Sequence, residues 1–140
     1  MAFSNPSLDE IHALLQKTKT IAVVGLSPKP SRPSHGVSAA MQGFGYRIIP
    51  VRPATDEVLG EKAWPDLHAL PNKPDLVDVF RSPEHVGPIV DACIELGIEA
   101  IWLQDGVIDE EAAMRAQDAG ITVMKSRVEH GLERLRKRNC

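Results

Sequence analysis

Short apolar runs alternate with amphipathic segments along most of the chain, and that rhythm sets the expectation for the fold. Apolar residues dominate Thr20 to Gly25, Tyr46 to Val51, Leu76 to Phe80, Glu99 to Leu103 and Ile121 to Met124. These runs are nearly continuous rather than alternating, as strands buried on both faces are. The segments between them carry helical spacing. Ser7-Leu8-Asp9-Glu10 has the form of a capping box, and Leu8, Ile11, Leu14 and Leu15 continue one stripe to about Lys17. Val37, Ala40, Met41 and Phe44 mark a helix that opens near Pro33-Ser34 and is closed by Gly45. The span from Arg52 to Pro74 holds four prolines and reads as a loop with one short helix near Asp66 to Leu70. Ser82 to Val86 reads as a separate turn, followed by a helix with Pro88 at its first position, carrying Ile89, Val90, Cys93, Ile94 and Leu96. Asp109 caps the next helix, whose buried face is Ala112, Ala113, Ala116 and Ala119. A last helix shows Val128, Leu132 and Leu135 on one face.

Strands and helices alternating in this way predict an α/β fold: a three-layer, Rossmann-like, doubly wound sheet of five mainly parallel strands. Right-handed crossovers favour the strand order 3-2-1-4-5, with a topological switch between strands one and four. At 140 residues the expectation is a single domain over residues 1–140, with a core of about 18–136 preceded by a helix of about 7–17.

Composition narrows the function. A formal net charge of -3 gives no broad attraction for nucleic acid or anionic membranes. Aromatic residues are 4 % of the chain, too few for a platform that stacks bases. Cys93 and Cys140 make no metal or disulfide framework, which suits a reducing cytoplasm. No apolar run approaches the ~20 residues of a membrane span, and no signal peptide is evident. His12, His68 and His130 have no metal spacing. His35 and His85 sit near helix starts without a recognisable nucleophile or paired carboxylate, and Asp105 reads as a turn residue before Gly106. Trp64 and Trp102 read as packing groups.

Ligands of open parallel sheets bind beyond the carboxyl ends of the strands, so the residues that follow each strand matter most. They are Gly25-Leu26-Ser27 with a basic, proline-rich loop through Arg32 to Ser34, then Val51-Arg52-Pro53, Arg81-Ser82-Pro83, Gln104-Asp105-Gly106 and Lys125-Ser126-Arg127. Basic and amide groups thus converge on one edge of an acidic protein. Gly25 lets the backbone approach a ligand, and a helix N-terminus lies behind it, where free N–H groups favour an anion. Arg32 and Ser34 lie beside that N-terminus, although Ser34 serves equally well as a helix cap. Lys29 reads as a solvated loop charge. The loop is not G-x-G-x-x-G, because the glycine after Gly25 is Gly36. Arg52 stands where a dinucleotide site uses an acid on the ribose diol. It argues against NAD and for a ligand with a phosphorylated ribose, either CoA or NADP.

The chain also resembles a known family. Val24-Gly25-Leu26-Ser27, Arg32-Pro33-Ser34-His35-Gly36-Val37, Gly45-Tyr46-Arg47-Ile48-Ile49-Pro50-Val51-Arg52-Pro53, Leu59-Gly60, Val77-Asp78-Val79-Phe80-Arg81, Trp102-Leu103-Gln104-Asp105-Gly106 and Glu129-His130 follow in register. Together they resemble the small stand-alone CoA-binding proteins, whose domain is similar to the N-terminal CoA-binding domain of the succinyl-CoA synthetase α subunit. The resemblance covers roughly residues 10 to 136. It implies that Gly25, Leu26, Ser27, Arg32 and Ser34 hold the phosphate-bearing part of coenzyme A. It implies that Val51, Arg52, Pro53, Phe80, Arg81, Gln104 and Gly106 line the rest of the cleft. The family usually has Asn where Arg52 stands; an arginine there either strengthens binding to the 3′-phosphate or crowds the adenosine. The family's Asp-Arg-Cys before the last helix is Ser126-Arg127-Val128 here. The resulting expectation is non-catalytic binding of CoA or an acyl-CoA by a cytoplasmic monomer or homodimer, with no catalytic residue, no metal, no nucleic acid and no membrane. The alternatives are an NADP-dependent enzyme and a ligand-free interaction domain.

Overall fold

The computed structural model describes residues 6–104 and 109–125. Helix α1 (Leu8–Lys17) leads into β1 (Thr20–Val24), α2 (Pro33–Gly43) and β2 (Arg47–Val51). A two-strand hairpin, β3 (Glu57–Val58) and β4 (Glu61–Lys62), and a 3-10 turn (Leu67–Ala69) precede β5 (Leu76–Val79). A second 3-10 turn (Pro83–His85) runs into α3 (Val86–Leu96), followed by β6 (Ala100–Leu103), α4 (Glu110–Asp118) and β7 (Thr122–Lys125). The last predicted helix, with Val128, Leu132 and Leu135, lies outside the described residues.

The expected α/β class holds: β1, β2, β5, β6 and β7 form one sheet in which every pairing is parallel. The expected strand order does not. The sheet runs β2-β1-β5-β6-β7, which is 2-1-3-4-5 in the numbering of the five predicted strands, so the switch lies between strands one and three. Pro50 explains the correction. In β2 the Arg47 N–H donates to Lys19 O and Val51 O accepts from Gly25 N, so these residues face β1. Pro50, at the intervening register, faces outward with no N–H to give. A further sheet strand on that side would lose a ladder hydrogen bond, so β2 is an edge. Its outer side near the carboxyl end is covered by Trp64, which donates to Pro50 O and accepts from Arg52 N.

The two sheet faces divide the core. Ala22, Val24, Val77 and Val79 pack with Val90 and Cys93 of α3 and Ala113 and Ala116 of α4. Ile21, Val23, Leu76 and Trp102 pack with Ile11 and Leu15 of α1 and Val37 and Met41 of α2. The apolar face of α1 therefore covers the sheet, and the Tyr46 hydroxyl fixes it by donating to Leu15 O at 2.7 Å. Local signals act as expected at both helix caps: Ser7 Oγ accepts from Glu10 N at 3.2 Å, and Asp109 Oδ1 from Ala112 N at 3.1 Å. Three local details differ from expectation. The Arg52–Pro74 span contains the β3–β4 hairpin as well as the expected short helix. Helix α3 starts at Val86, placing Pro88 third, where the first turn has no intrahelical use for its missing N–H. Ala119 is exposed because α4 ends at Asp118.

At the amino ends of β1 and β5, Asp75 accepts from Lys19 N (2.9 Å), Thr20 N (3.1 Å) and the Thr20 hydroxyl (3.3 Å). Burial would raise its pKa, but those donors hold it below the ordinary value. This clamp fixes the register and leaves the carboxyl ends aligned at the opposite edge.

Candidate functional site at the carboxyl edge

Two chambers meet at the carboxyl edge, sharing Gly25 and Arg81. The first, of about 380 Å3, is bounded by the loop from Ser27 to Ser34, by Arg52 and by Phe80 and Arg81. Four cations surround it: Lys29, Arg32, Arg52 and Arg81. None of the ion pairs among the described residues engages them. The acid associated with Arg81 is Glu84, whose carboxyl is held below its ordinary value first by its own backbone N–H, then by the Ser82 hydroxyl, and less by His85 and Arg81. The second chamber, of about 340 Å3, is largely apolar: Val24, Val51, Pro53, Pro65, Leu67 and Ile89 contribute, with Asp66, His68, Arg81 and His85 at its polar positions. His68 is paired with Glu95 across the wall, Nε2 to Oε2 at 3.0 Å.

Each wall follows from local chemistry. Gly25 has φ +88°, and a Cβ there would sit 2.5 Å from Phe80 O, so only glycine allows the β1 and β5 ends to approach so closely. The loop beyond is tied down by two serines. Ser34 Oγ, buried in the first turn of α2, accepts from Ser27 N at 3.0 Å, and Ser27 Oγ accepts from Lys29 N at 3.1 Å. Ser34 thus spends its oxygen on the loop rather than on its own helix. The N-cap of α2 is Arg32, with no side-chain cap bond, and Pro33 follows. The positive end of the α2 dipole is therefore left open toward the cationic chamber. Replacing Ser34 by alanine should lower stability by about 1 kcal/mol and speed hydrogen exchange at Ser27 N, which native-state exchange would reveal. Unchanged protection would mean that the Ser27–Ser34 bond does not hold the loop.

The structure brings together Gly25, Ser27, Arg32, Ser34, Arg52, Phe80 and Arg81 at the cationic chamber, and Val51 and Pro53 at the apolar one. Leu26 is fully buried in the α1–α2 core and lines neither chamber. Gln104 is also buried, donating from Nε2 to Asp78 Oδ1 at 2.6 Å. Gly106, Asp105, Ser126 and Arg127 lie outside the described residues.

Sequence reasoning missed several groups. Lys29 faces the chamber rather than open solvent alone. His68 and the Pro65–Leu67 segment reach the second chamber because Trp64 bridges Val51 and places the following residues beyond β2, and His85 reaches it from the 3-10 turn that precedes α3. The pairing of Trp64 with a strand leaves no distinct mark in sequence. Asp78 did leave one, a lone carboxylate within Leu76-Val77-Asp78-Val79. It is 0 % exposed, and burial pushes its pKa up to about 7, partly opposed by the Gln104 amide. Among the described residues no cluster of His, Cys, Asp or Glu is arranged to hold a metal, and no helix is long and apolar enough to cross a membrane.

A family model for the CoA-binding domain matches residues 19–130. The uncharacterised protein YneT of Bacillus subtilis is 45 % identical over 120 residues, spanning 86 % of this chain and 89 % of YneT. A hypothetical protein of Pyrococcus horikoshii superposes with a TM-score of 0.88 at 33 % identity, over 96 % of this chain and 99 % of that one. The ADP-forming acetate–CoA ligase II of Archaeoglobus fulgidus is 25 % identical over 101 residues, which are 71 % of this chain but only 15 % of the ligase.

Proposed function

The chain belongs to the CoA-binding domain family, and from that premise we propose that it binds coenzyme A or an acyl-CoA at the carboxyl edge of its sheet, in the cytoplasm and without chemistry of its own. The observation that carries the reading is the cationic chamber itself. Four basic side chains and an open helix N-terminus surround about 380 Å3 at one edge of a protein of net charge -3. Such a site favours a ligand with several phosphate charges close together. The adjoining apolar chamber of about 340 Å3 supplies room for the less charged part of the same molecule.

The residues assigned to this ligand are Gly25, Leu26 through its backbone, Ser27, Arg32 and Ser34 at the phosphates, with Val51, Arg52, Pro53, Phe80, Arg81, Gln104 and Gly106 around the remainder. Arg52 is half-buried and lines the cationic chamber rather than the apolar one. That placement supports a contact with phosphate and speaks against crowding of an adenosine in the apolar chamber. The groups at the two chambers bind anions and apolar surface, which is the basis for a binding role rather than a catalytic one.

Charge reversal tests the assignment. Arg52→Glu and Arg32→Glu should each weaken CoA binding about tenfold to a hundredfold, the range of one charge-assisted phosphate contact. Both variants should melt close to the parent, because Arg32 is exposed, Arg52 is only half-buried, and neither takes part in an ion pair among the described residues. Calorimetric titration of each variant reads the affinity, and binding unchanged in both would refute the site.

A further inference from the structure

Asp78 is not needed to explain phosphate binding, yet it occupies the central strand directly beneath the site. Phe80, which bounds the cationic chamber, lies two residues further on, just past the end of β5, and so on the same face, about 7 Å above Asp78. Gln104 follows β6 and donates from Nε2 to Asp78 Oδ1 at 2.6 Å. The second oxygen, Oδ2, is buried and has no hydrogen-bond partner among the described residues. Among the described residues no ion pair reaches this carboxyl. The elements on its face present Val23 from β1, Trp102 from β6, Met124 from β7 and Val37 and Met41 from α2. The titratable side chain buried in the same layer among the described residues is His12 of α1. The influences on the Asp78 carboxyl are burial and the Gln104 amide.

We propose that Asp78 is a positioning residue and proton-linked regulator of the anion site: it fixes Gln104 at the carboxyl edge, and the site takes its polyanionic ligand most tightly while Asp78 carries a proton. The inference rests on the CoA reading given above. Physically, an ionised carboxylate set in a low-dielectric layer below the chamber repels phosphate charge, and protonation removes that repulsion. By linkage, the bound polyanion must in turn favour the protonated carboxyl, so binding draws a proton from solvent near neutral pH. The sign is diagnostic. A CoA phosphate gains charge as pH rises through about 6, which on its own would tighten binding to four cations. The carboxyl predicts the reverse.

The test follows the Asp78 carboxyl carbon by 13C NMR across pH, in the free protein and with saturating CoA, using Asp78→Asn to assign the resonance. CoA affinity is measured alongside by calorimetry. The midpoint should lie near neutrality in the free protein and move upward with CoA. Affinity should fall roughly tenfold between about pH 6 and about pH 8. In Asp78→Asn that loss should vanish while binding at the higher pH is retained, an outcome that a merely structural role would not give. A midpoint in the ordinary carboxylate range, or one that CoA leaves unmoved, would overturn the proposal. Absence of CoA binding at every pH would overturn the ligand reading and the coupling with it, while the free-protein midpoint would still report whether this carboxyl titrates near neutrality.

Discussion

Replacing Gly25 by alanine is expected to lower the unfolding free energy by about 3 kcal/mol and to abolish high-affinity ligand binding together. Two costs add. At φ +88° an L-residue occupies a backbone region that costs roughly 1–2 kcal/mol. The new methyl would also meet Phe80 O at 2.5 Å and the Arg81 Cδ at 3.0 Å. The arginine side chain can move, but the carbonyl cannot, because the adjacent Phe80 N–H is bonded to Val24 O at 2.9 Å. Relief therefore requires the ends of β1 and β5 to separate, which widens the junction where the two chambers meet. Urea unfolding with calorimetry at low denaturant measures both effects. Loss of stability with full affinity would show that the junction is not part of the ligand's seat.

The second large effect concerns pH. Asp78 has a folded-state pKa of about 7 against an ordinary value of 3.8. Between those values the folded protein holds a proton that the unfolded chain has lost, so stability falls as pH rises through this window. The contribution is fully present below about pH 4 and gone above about pH 7, a span of about 4 kcal/mol at roughly 1.4 kcal/mol per unit. Other groups act in the opposite sense: Asp75, whose pKa is lowered, contributes stability that disappears on acidification through its own folded-state value. The difference between the parent and Asp78→Asn isolates the buried carboxyl. The parent should lose several kcal/mol relative to the variant between about pH 4 and about pH 8, measured by urea unfolding at each pH. Parallel curves would mean that Asp78 is ionised in the native protein throughout.

The residues that carried the fold in sequence were those whose local physics and tertiary role agree. Ser7 and Asp109 cap helices wherever they are placed, and the apolar runs of β1, β5 and β6 admit one reading because both faces are buried. Strand order was not read correctly: the crossover rule led to 3-2-1-4-5, with β2 inside the sheet, although Pro50, whose missing N–H disfavours a central strand, marks β2 as an edge. The β3–β4 hairpin was harder. Its turn residues Leu59 and Gly60 have φ +54° and +77°, a turn that usually announces itself as Asn-Gly or Asp-Gly. Here the Leu59 carbonyl is instead held from α2 by Gln42 Nε2 at 3.0 Å, a tertiary contact that sequence spacing does not encode.

The same distinction separates the halves of the site. The cationic chamber was readable because its residues immediately follow strands or precede a helix. The apolar chamber was not, since the Pro65–His68 segment reaches it through the single bridge between Trp64 and Val51. Gln104 was found for its position at the end of β6; that its amide is held by the buried Asp78 carboxyl is a tertiary pairing that sequence spacing does not reveal.

The most direct measurement is calorimetric titration of the purified protein with CoA, with NADP and NAD in parallel. Micromolar binding of CoA is expected, with little or no heat from either dinucleotide. Binding of NADP in preference to CoA would contradict the CoA reading and direct attention to a substrate near Arg81 and Gln104; binding of none of the three would favour an interaction domain without a nucleotide ligand.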